Sequence, residues 1–223
     1  MYLGLSSGLV GWWTFDGNDT GTTSVLDRSG NGTLGYFRNG TQKVIGKIGQ
    51  GIKFDGVIGG VDLGTSAVLD LRNSVSVSAW YFATATPPSG HIFDIYAAGA
   101  AAGVGVENYL SVSYNFGESL VQWCLGGSAS CEEYQYTPTS KDGRWIHFAG
   151  TWDGVVRKLY MDGAFISQTS QSGTLSDLSN SASIGFQSFD VQNEFCGCLI
   201  DDVRVYNRGL TADEVKRLYN MGR

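Results

Sequence analysis

The chain has 223 residues, of which 42% are hydrophobic and only 16% are charged, and it contains 32 glycines. This composition excludes a coiled coil, a helical bundle and a charge-driven disordered chain, and no apolar run approaches the roughly 18 residues of a membrane-spanning helix. Fifteen basic and 21 acidic residues give a net charge of −6, which argues against nucleic acid or an anionic membrane as the partner.

Short apolar or alternating runs, separated by Gly, Asn, Asp and Ser, predict about a dozen strands. The predicted strands are 9–15, 51–54, 60–63, 75–83, 91–97, 109–116, 120–125, 145–152, 157–161, 182–186 and 195–206. Asp162-Gly163 directly follows the run 157–161 and predicts a tight hairpin turn, because both residues tolerate a positive φ. The pattern is typical of an all-β fold, a two-sheet antiparallel β-sandwich or jelly roll.

One short helix is predicted at the C-terminus. Thr211-Ala-Asp-Glu214 is a capping box, in which the Thr hydroxyl accepts from the Glu214 N–H and the Glu carboxylate accepts from the Thr N–H. Leu210 and Val215 occupy the hydrophobic staple positions, and Gly222 is placed to end the helix.

Residues 1–223 are predicted to form a single domain, because no Pro-rich linker or change in composition divides them. The patterned sequence fills almost the whole length, which we interpret as one module excised from a longer chain. The first ten residues lack the basic and apolar regions of a signal peptide. Four cysteines in an acidic, glycine-rich β chain nevertheless favour an extracellular or cell-surface location.

The pairing of the four cysteines is open from sequence alone. Cys124 and Cys131 bracket a glycine-rich hairpin tip, so a local disulfide is the simplest interpretation. Cys196 and Cys198 are two residues apart, and three states are open to them. They bond to each other, they pair with Cys124 and Cys131, or they stay as free thiols. A four-cysteine zinc site is a further alternative, although the spacing is not that of a zinc module.

Several phrases resemble one known family. They are Gly8-Leu-Val-Gly-Trp-Trp-Thr-Phe-Asp-Gly17, Asp27-Arg-Ser-Gly-Asn-Gly32, Gly46-Lys-Ile-Gly-Gln-Gly-Ile-Lys-Phe-Asp-Gly56, Val75-Ser-Val-Ser-Ala-Trp80, Trp145-Ile-His-Phe-Ala-Gly-Thr-Trp-Asp-Gly154 and Leu199-Ile-Asp-Asp-Val-Arg-Val-Tyr-Asn-Arg-Gly-Leu210. In this order they resemble bacterial laminin G-like domains of the concanavalin A-like lectin/glucanase superfamily. The resemblance implies a jelly roll. It leaves function open, because such domains bind carbohydrate, mediate adhesion or act as spacers, and the wider superfamily includes glucanases and lyases.

The sequence offers an oxygen-rich corner for a metal. Asp16-Gly-Asn-Asp-Thr-Gly21 has the offsets with which a calcium loop opens. The resemblance implies a mainly structural calcium ion between the N- and C-terminal strands, and another divalent metal is an alternative. It points to Asp16 and Asp201 as ligands, with Asn31, Asp55 and Asp202 as weaker candidates. The simpler interpretation is that Asp16, Asp27 and Asp55 only cap turns.

Aromatic residues in the middle of the chain suggest a ligand surface. Trp123, Tyr134 and Tyr136 flank a polar, glycine-rich hairpin, and Tyr109 and Glu132 lie nearby in sequence. On a sheet face these rings are platforms for sugar rings or other planar polymer units. The alternative is that they fill the interior, as we expect for Trp12, Phe15, Phe54, Trp80, Phe148 and Trp152.

Catalytic signals are weak. His91 and Asp94 are the only candidates worth naming for an acid–base pair, and His147 is expected to pack structurally within its strand phrase. The carboxylate string that glucanases of the superfamily carry on one strand is absent from the sequence.

We therefore expect a calcium-stabilised, extracellular binding module for polysaccharide or another polymer. The first alternative is a metal-dependent hydrolase acting on a polysaccharide or polyester. The second is an adhesion or spacer domain that binds protein. Nucleic acid and membrane insertion are not expected, and the oligomeric state is open.

Overall fold

The computed structural model describes residues 4–84, 90–96, 109–115, 120–125, 131–135, 143–175, 181–187 and 195–223, with the backbone alone for 83, 90–96, 109–115, 120–125 and 131–135. The strands are β1 Leu9–Trp13, β2 Ser24–Val25, β3 Gly35–Phe37, β4 Thr41–Ile45, β5 Gln50–Phe54, β6 Val61–Gly64, β7 Val75–Ala83, β8 Gly90–Tyr96, β9 Tyr109–Asn115, β10 Leu120–Leu125, β11 Cys131–Gln135, β12 Ile146–Trp152, β13 Val156–Met161, β14 Ala164–Ser170, β15 Ser181–Ile184 and β16 Cys198–Tyr206. Single turns of 3-10 helix span Gly17–Asp19 and Ala67–Leu69, and the α-helix α1 spans Ala212–Met221.

The strands form two antiparallel sheets, so the predicted all-β fold class is confirmed. The first sheet has the order β14-β13-β12-β7-β16-β5-β4, and β1 also pairs with β16. The second sheet has the order β11-β10-β9-β8-β15-β6-β3-β2. The inner faces of the two sheets enclose the main hydrophobic core, whose largest fully buried rings include Trp13, Trp152, Phe15, Phe54 and Phe148.

Two of the six aromatics expected in the core lie elsewhere. Trp13 is fully buried and donates its indole N–H to the Thr33 carbonyl, whereas its neighbour Trp12 is half-buried on the other face of β1. Successive side chains of a strand point to opposite faces, so only one of the two tryptophans can enter the core. Trp80 is 1% exposed, but it packs against Tyr219 of the C-terminal helix, outside the main core.

The helix α1 packs on the outer face of the first sheet and completes a second, smaller core. Both hydrogen bonds of the predicted capping box between Thr211 and Glu214 are present. The apolar side of the helix and its lead-in segment contact the outer face of β12, β13 and β16; the buried residues of this cluster are Ala149, Tyr160, Tyr206, Leu210, Val215 and Leu218.

The structure decides between the alternatives for Cys196 and Cys198. Cys196 and Cys198 form a disulfide with each other, which removes two thiolates from the four-cysteine zinc alternative. Cys124 and Cys131 are register partners on β10 and β11, the backbone arrangement that a bond between them requires. Among the described residues no helix is long and apolar enough to cross a membrane.

Candidate functional site

The two ends of the chain meet at β16. β7 lines one edge of this strand, while β5 pairs with Leu199 and Ile200 and β1 pairs with residues 203–206 on the other edge. Asp201 and Asp202 lie between these two pairings, where the register shifts and Asp202 adopts a φ of 48°. A bulge of this kind re-aims side chains, and it places consecutive carboxylates at the junction of three strands.

Asp16 and Asp201 both bind the turn between β4 and β5. Asp16 Oδ1 accepts a hydrogen bond from the Gln50 N–H at 2.6 Å. Asp201 Oδ2 accepts from the N–H groups of Lys47 and Ile48, each at 2.8 Å. The two residues expected to share a cation are therefore brought to one five-residue segment, 46–50, and each uses an oxygen to fix its backbone.

Sequence reasoning missed this turn, although two glycines in the phrase Gly46-Lys-Ile-Gly49 signal it. A Cβ at Gly46 would lie 2.6 Å from Asp201 Oδ2, and a Cβ at Gly49 would lie 2.1 Å from Asp16 Oδ1. Any side chain at either position would collide with a carboxylate, so glycine is what permits the close approach.

Asp201 is the most perturbed acid of the corner. Its side chain is fully buried, and burial raises the pKa of its carboxyl group to about 7, with the neighbouring charge of Asp202 adding to the effect. Its second oxygen, Oδ1, makes no hydrogen bond to any residue that the structure describes. A buried carboxylate oxygen without a partner is unfavourable, and a proton or a cation there would relieve the cost.

Asp202 faces a different set of partners from Asp201. Its carboxylate accepts from the Trp12 indole N–H at 2.6 Å and forms a buried ion pair with Arg204 at 3.1 Å. The Arg204 guanidinium in turn stacks on the Trp12 ring, 4.3 Å from its centre. Asp202 is thus already neutralised by an arginine of its own strand.

Asn31 and Asp55, the two remaining metal candidates, close turns. Asp55 Oδ1 accepts from three successive N–H groups, those of residues 57–59, at 2.8 to 3.0 Å. The Asn31 amide donates to the Leu9 carbonyl and to Ser29 Oγ. Within the described part of the chain no group of three or more His, Cys, Asp or Glu residues is arranged to hold a metal.

His147 is a buried structural histidine. It is 1% exposed, its Nε2 lies 2.8 Å from Ser78 Oγ, and its ring contacts those of Trp80 and Tyr219. Burial, with a smaller contribution from the Arg204 charge, lowers the pKa of its imidazole to about 3. The ring is therefore neutral at physiological pH and packs as an uncharged group.

The outer face of the second sheet is polar where its side chains are described. Tyr36 is 57% exposed and lies beside the exposed Asp62 in the register of β3 and β6. The same row continues through Ser183, which is fully buried and donates its hydroxyl to the Phe186 carbonyl, to Asp94 and then to Ser111. Residues in one row share a face of the sheet, so this row marks the outer side of β8 and β9.

The register also locates the backbone of most ligand candidates. The row that starts at Ile184, a fully buried residue, runs through Phe93 and Val112 to Trp123 and Glu132. Tyr109 is two residues from Ser111 and so belongs to the rows of the outer face. Tyr134 is two residues from Glu132 and so belongs to the same rows as the buried Ile184. The side chains of these candidates, and Tyr136 altogether, lie outside the described residues.

The weak catalytic candidates are located by backbone alone. His91 pairs with Ser113, and Asp94 pairs with both Ser111 and Ser183. Their side chains are also outside the described residues, so an acid–base pair between them stays a prediction.

Comparison with known proteins identifies the fold family. A laminin G family model, described as concanavalin A-like lectin/glucanases superfamily, matches residues 55–216. Domain 4 of AbnA, an extracellular GH43 arabinanase from Geobacillus stearothermophilus solved in complex with arabinotriose, has 22% identity and a TM-score of 0.71. That match covers 96% of this chain and 98% of the arabinanase domain.

Two further solved structures share the fold over part of their own length. The binding domain of Paraclostridial Mosquitocidal Protein 1 has 16% identity and a TM-score of 0.71, over 98% of this chain and 53% of that one. Trypanosoma rangeli sialidase in complex with sialic acid has 19% identity and a TM-score of 0.68, over 95% of this chain and 32% of the sialidase. The sequence has no match among curated proteins. At these identities the likeness shows the fold alone.

Proposed function

This chain belongs to the laminin G-like domains of the concanavalin A-like lectin/glucanases superfamily. On that basis we propose that it is a module that binds an extracellular polysaccharide. The proposed binding surface is the outer face of the second sheet. The observation that carries the proposal is the register of that sheet, which connects the exposed Tyr36 and Asp62 through the buried Ser183 to Asp94 on β8 and Ser111 on β9.

The residues on these outer rows suit a sugar ligand. Ser113, Gln122 and Glu133 are register partners on β9, β10 and β11, and Tyr109 lies on the same set of rows. Hydroxyl, amide and carboxylate groups pair with sugar hydroxyls, and a tyrosine ring stacks on the apolar face of a pyranose or furanose. The full-length likeness to an arabinanase domain solved with arabinotriose supports the same ligand class.

Isothermal titration calorimetry against arabinan, xylan, galactan and sialyllactose tests this proposal. We expect at least one glycan to bind, and Gln122→Ala and Glu133→Ala to weaken it about tenfold each, the cost of one or two lost hydrogen bonds. Ile45→Ala is the matched control, since Ile45 is 87% exposed on an edge strand of the first sheet. Binding that persists in both face variants would overturn the assignment of the face.

We further propose that a calcium ion stabilises the corner between β1, β16 and the 46–50 turn. The buried Oδ1 of Asp201, which has no partner among the described residues, supports this proposal, since a hard cation there would complete its coordination. Asp16 binds the opposite side of the same turn and is the second protein ligand of the proposed site. The test is a thermal melt with excess calcium and with a chelator: a lower Tm in chelator is expected, and Asp201→Asn should abolish the difference.

The hydrolase and protein-adhesion alternatives are outcomes of the same experiments. A chelator-sensitive release of product from a polysaccharide or polyester would favour the hydrolase. Absence of binding to every glycan, combined with capture of a protein ligand, would favour adhesion.

A further inference from the structure

A cavity lies on the opposite side of the sandwich from the proposed binding face of the second sheet. A cavity of about 250 Å³ opens on the outer face of the first sheet, where the chain enters α1. Its floor comes from β12 and β13, and its wall comes from residues 209–212; the floor includes Thr151, Lys158 and Tyr160.

The local sequence explains why a cavity forms there. Thr151 pairs with Lys158 and Ala149 pairs with Tyr160, so all four side chains point to the outer face of the sheet. A Cβ at Gly209 would lie 2.9 Å from the Cβ of Asp153, so only glycine lets the chain pass this close to the end of β12. The segment then rises into the helix and leaves a hollow between them.

Two hydroxyl groups in this hollow lack protein partners. Thr151 and Tyr160 are each 2% exposed, and both line the cavity. Neither hydroxyl makes a hydrogen bond to any residue that the structure describes. Neither oxygen is among the enclosed, unpaired polar atoms of the described residues, so both are open to the cavity. Their hydrogen-bond partner is therefore whatever fills the cavity, water or a ligand.

Charged groups at the rim supply the complementary functions. Asp153 uses Oδ1 to accept from the N–H groups of Val155 and Val156, and its other oxygen has no partner among the described residues. The Lys158 ammonium has no carboxylate within 4.0 Å in the part of the chain described. The cavity therefore offers one donor (Lys158), one acceptor (Asp153) and two hydroxyl groups that can do either. Neighbouring hydroxyls of a sugar can also each donate and accept, so the two sets of groups can pair.

We propose that this cavity is a second binding site, specific for one neutral sugar residue or a polyol of similar size. Pockets for drug-sized ligands measure roughly 300 to 1,000 Å³, so this one fits a single ring and excludes an oligosaccharide. Tyr160 and Leu210 provide the apolar wall against which the ring packs, and Thr151, Tyr160, Asp153 and Lys158 bind its hydroxyls. The acid and the base together disfavour a ligand with net charge of either sign.

Chemical-shift mapping on the full chain tests the proposal, with methyl β-D-galactopyranoside and methyl α-L-arabinofuranoside as probes. We expect saturable shifts of the amides at 151–160 and 209–213. Thr151→Val and Tyr160→Phe each delete one hydroxyl and keep the shape of the side chain, and each is expected to raise the Kd about fivefold. Thr169→Val on β14 is the matched control, since Thr169 is exposed and does not line the cavity, and it should leave the Kd unchanged.

A cavity that holds only water would give no saturable shift at 151–160, and that result overturns the proposal. Shifts that survive both Thr151→Val and Tyr160→Phe would also overturn it. The proposals for the two sites can be contradicted independently. A ligand on the outer face of the second sheet would shift amides within β8–β11, and its Kd would not change in Thr151→Val or Tyr160→Phe.

Discussion

His147 and Asp201 are the register partners of Trp80 on its two neighbouring strands. Burial acts on both, and it shifts their pKa values in opposite directions because it disfavours whichever form is charged. The imidazole of His147 has its pKa lowered to about 3, and the carboxyl of Asp201 has its pKa raised to about 7. Both side chains are therefore most stable in the fold as neutral groups.

The two groups couple stability to pH with opposite signs. As the pH falls from about 6.5 towards 3, the unfolded chain takes up a proton at His147 that the folded chain refuses, so stability is lost. As the pH falls from about 7 towards 4, the folded chain takes up a proton at Asp201 that the unfolded chain refuses, so stability is gained. Between about pH 6.5 and 4 the two contributions oppose each other at up to about 1.4 kcal/mol per pH unit each.

Single substitutions should separate these contributions. In His147→Gln, the free energy of unfolding should rise as the pH is lowered from about 6.5 to 4.5, by up to about 3 kcal/mol relative to the wild type. In Asp201→Asn it should fall over the same range by a similar amount. Urea unfolding at several pH values measures this, and identical slopes in the two variants would contradict the burial of these groups.

Gly49 offers a second test at the residue scale. It has a φ of +65°, and a Cβ there would lie 2.1 Å from Asp16 Oδ1. Gly30 also has a positive φ, of +92°, but nothing lies within 4 Å of its added Cβ, so it serves as the control. Gly49→Ala should cost more than Gly30→Ala, by about 1 to 2 kcal/mol, because it also displaces the carboxylate.

A similar loss in the free energy of unfolding in Gly49→Ala and Gly30→Ala would contradict this explanation of Gly49. In an Asp16→Ala background the excess cost at Gly49 should disappear, and denaturant melts of the four variants measure it.

At the scale of elements, the start of α1 makes a defined contribution to stability. Thr211 Oγ1 accepts from the Glu214 N–H, and the Glu214 carboxylate accepts from Thr211 N–H and pairs with Arg208 at 2.7 Å. Thr211→Ala should lower the free energy of unfolding by about 1 kcal/mol, whereas Thr211→Ser should keep the cap and the stability. Equal losses in both variants would show that the hydroxyl is not the capping group.

The elements that sequence predicted best are those whose signals are local. The capping box fixes the start of α1, and Asp162-Gly163 forms its hairpin turn with φ values of 51° and 74°. Strands β2, β3, β4, β11 and β14 are absent from the predicted ranges, although the two predicted hairpins imply β11 and β14 as their second strands. β2 and β3 are two and three residues long, and β4 is a partly exposed edge strand, so none of these three shows a clear periodic pattern.

At the scale of the whole molecule, the sequence placed Asp16 and Asp201 together through a family resemblance, and the pairing of β1 with β16 confirms that the chain ends meet. What binds these carboxylates was not predictable, because backbone N–H groups leave no side-chain signal, and they lie 34 residues from Asp16 and 153 and 154 residues from Asp201. The register that separates Tyr109 from Trp123 is likewise a property of the assembled sheet, since it depends on bulges in β8 and β15.

If the outer face of the second sheet binds a glycan, the bound ligand should protect the backbone of that face from hydrogen exchange. Hydrogen exchange of the full chain, measured with and without a saturating glycan from the calorimetric panel, should therefore be slowed in β8–β11 and beside Tyr36 on β3, with no change in β4 and β5. Protection confined to the first sheet, or none in either sheet with the ligand bound, would contradict this proposal.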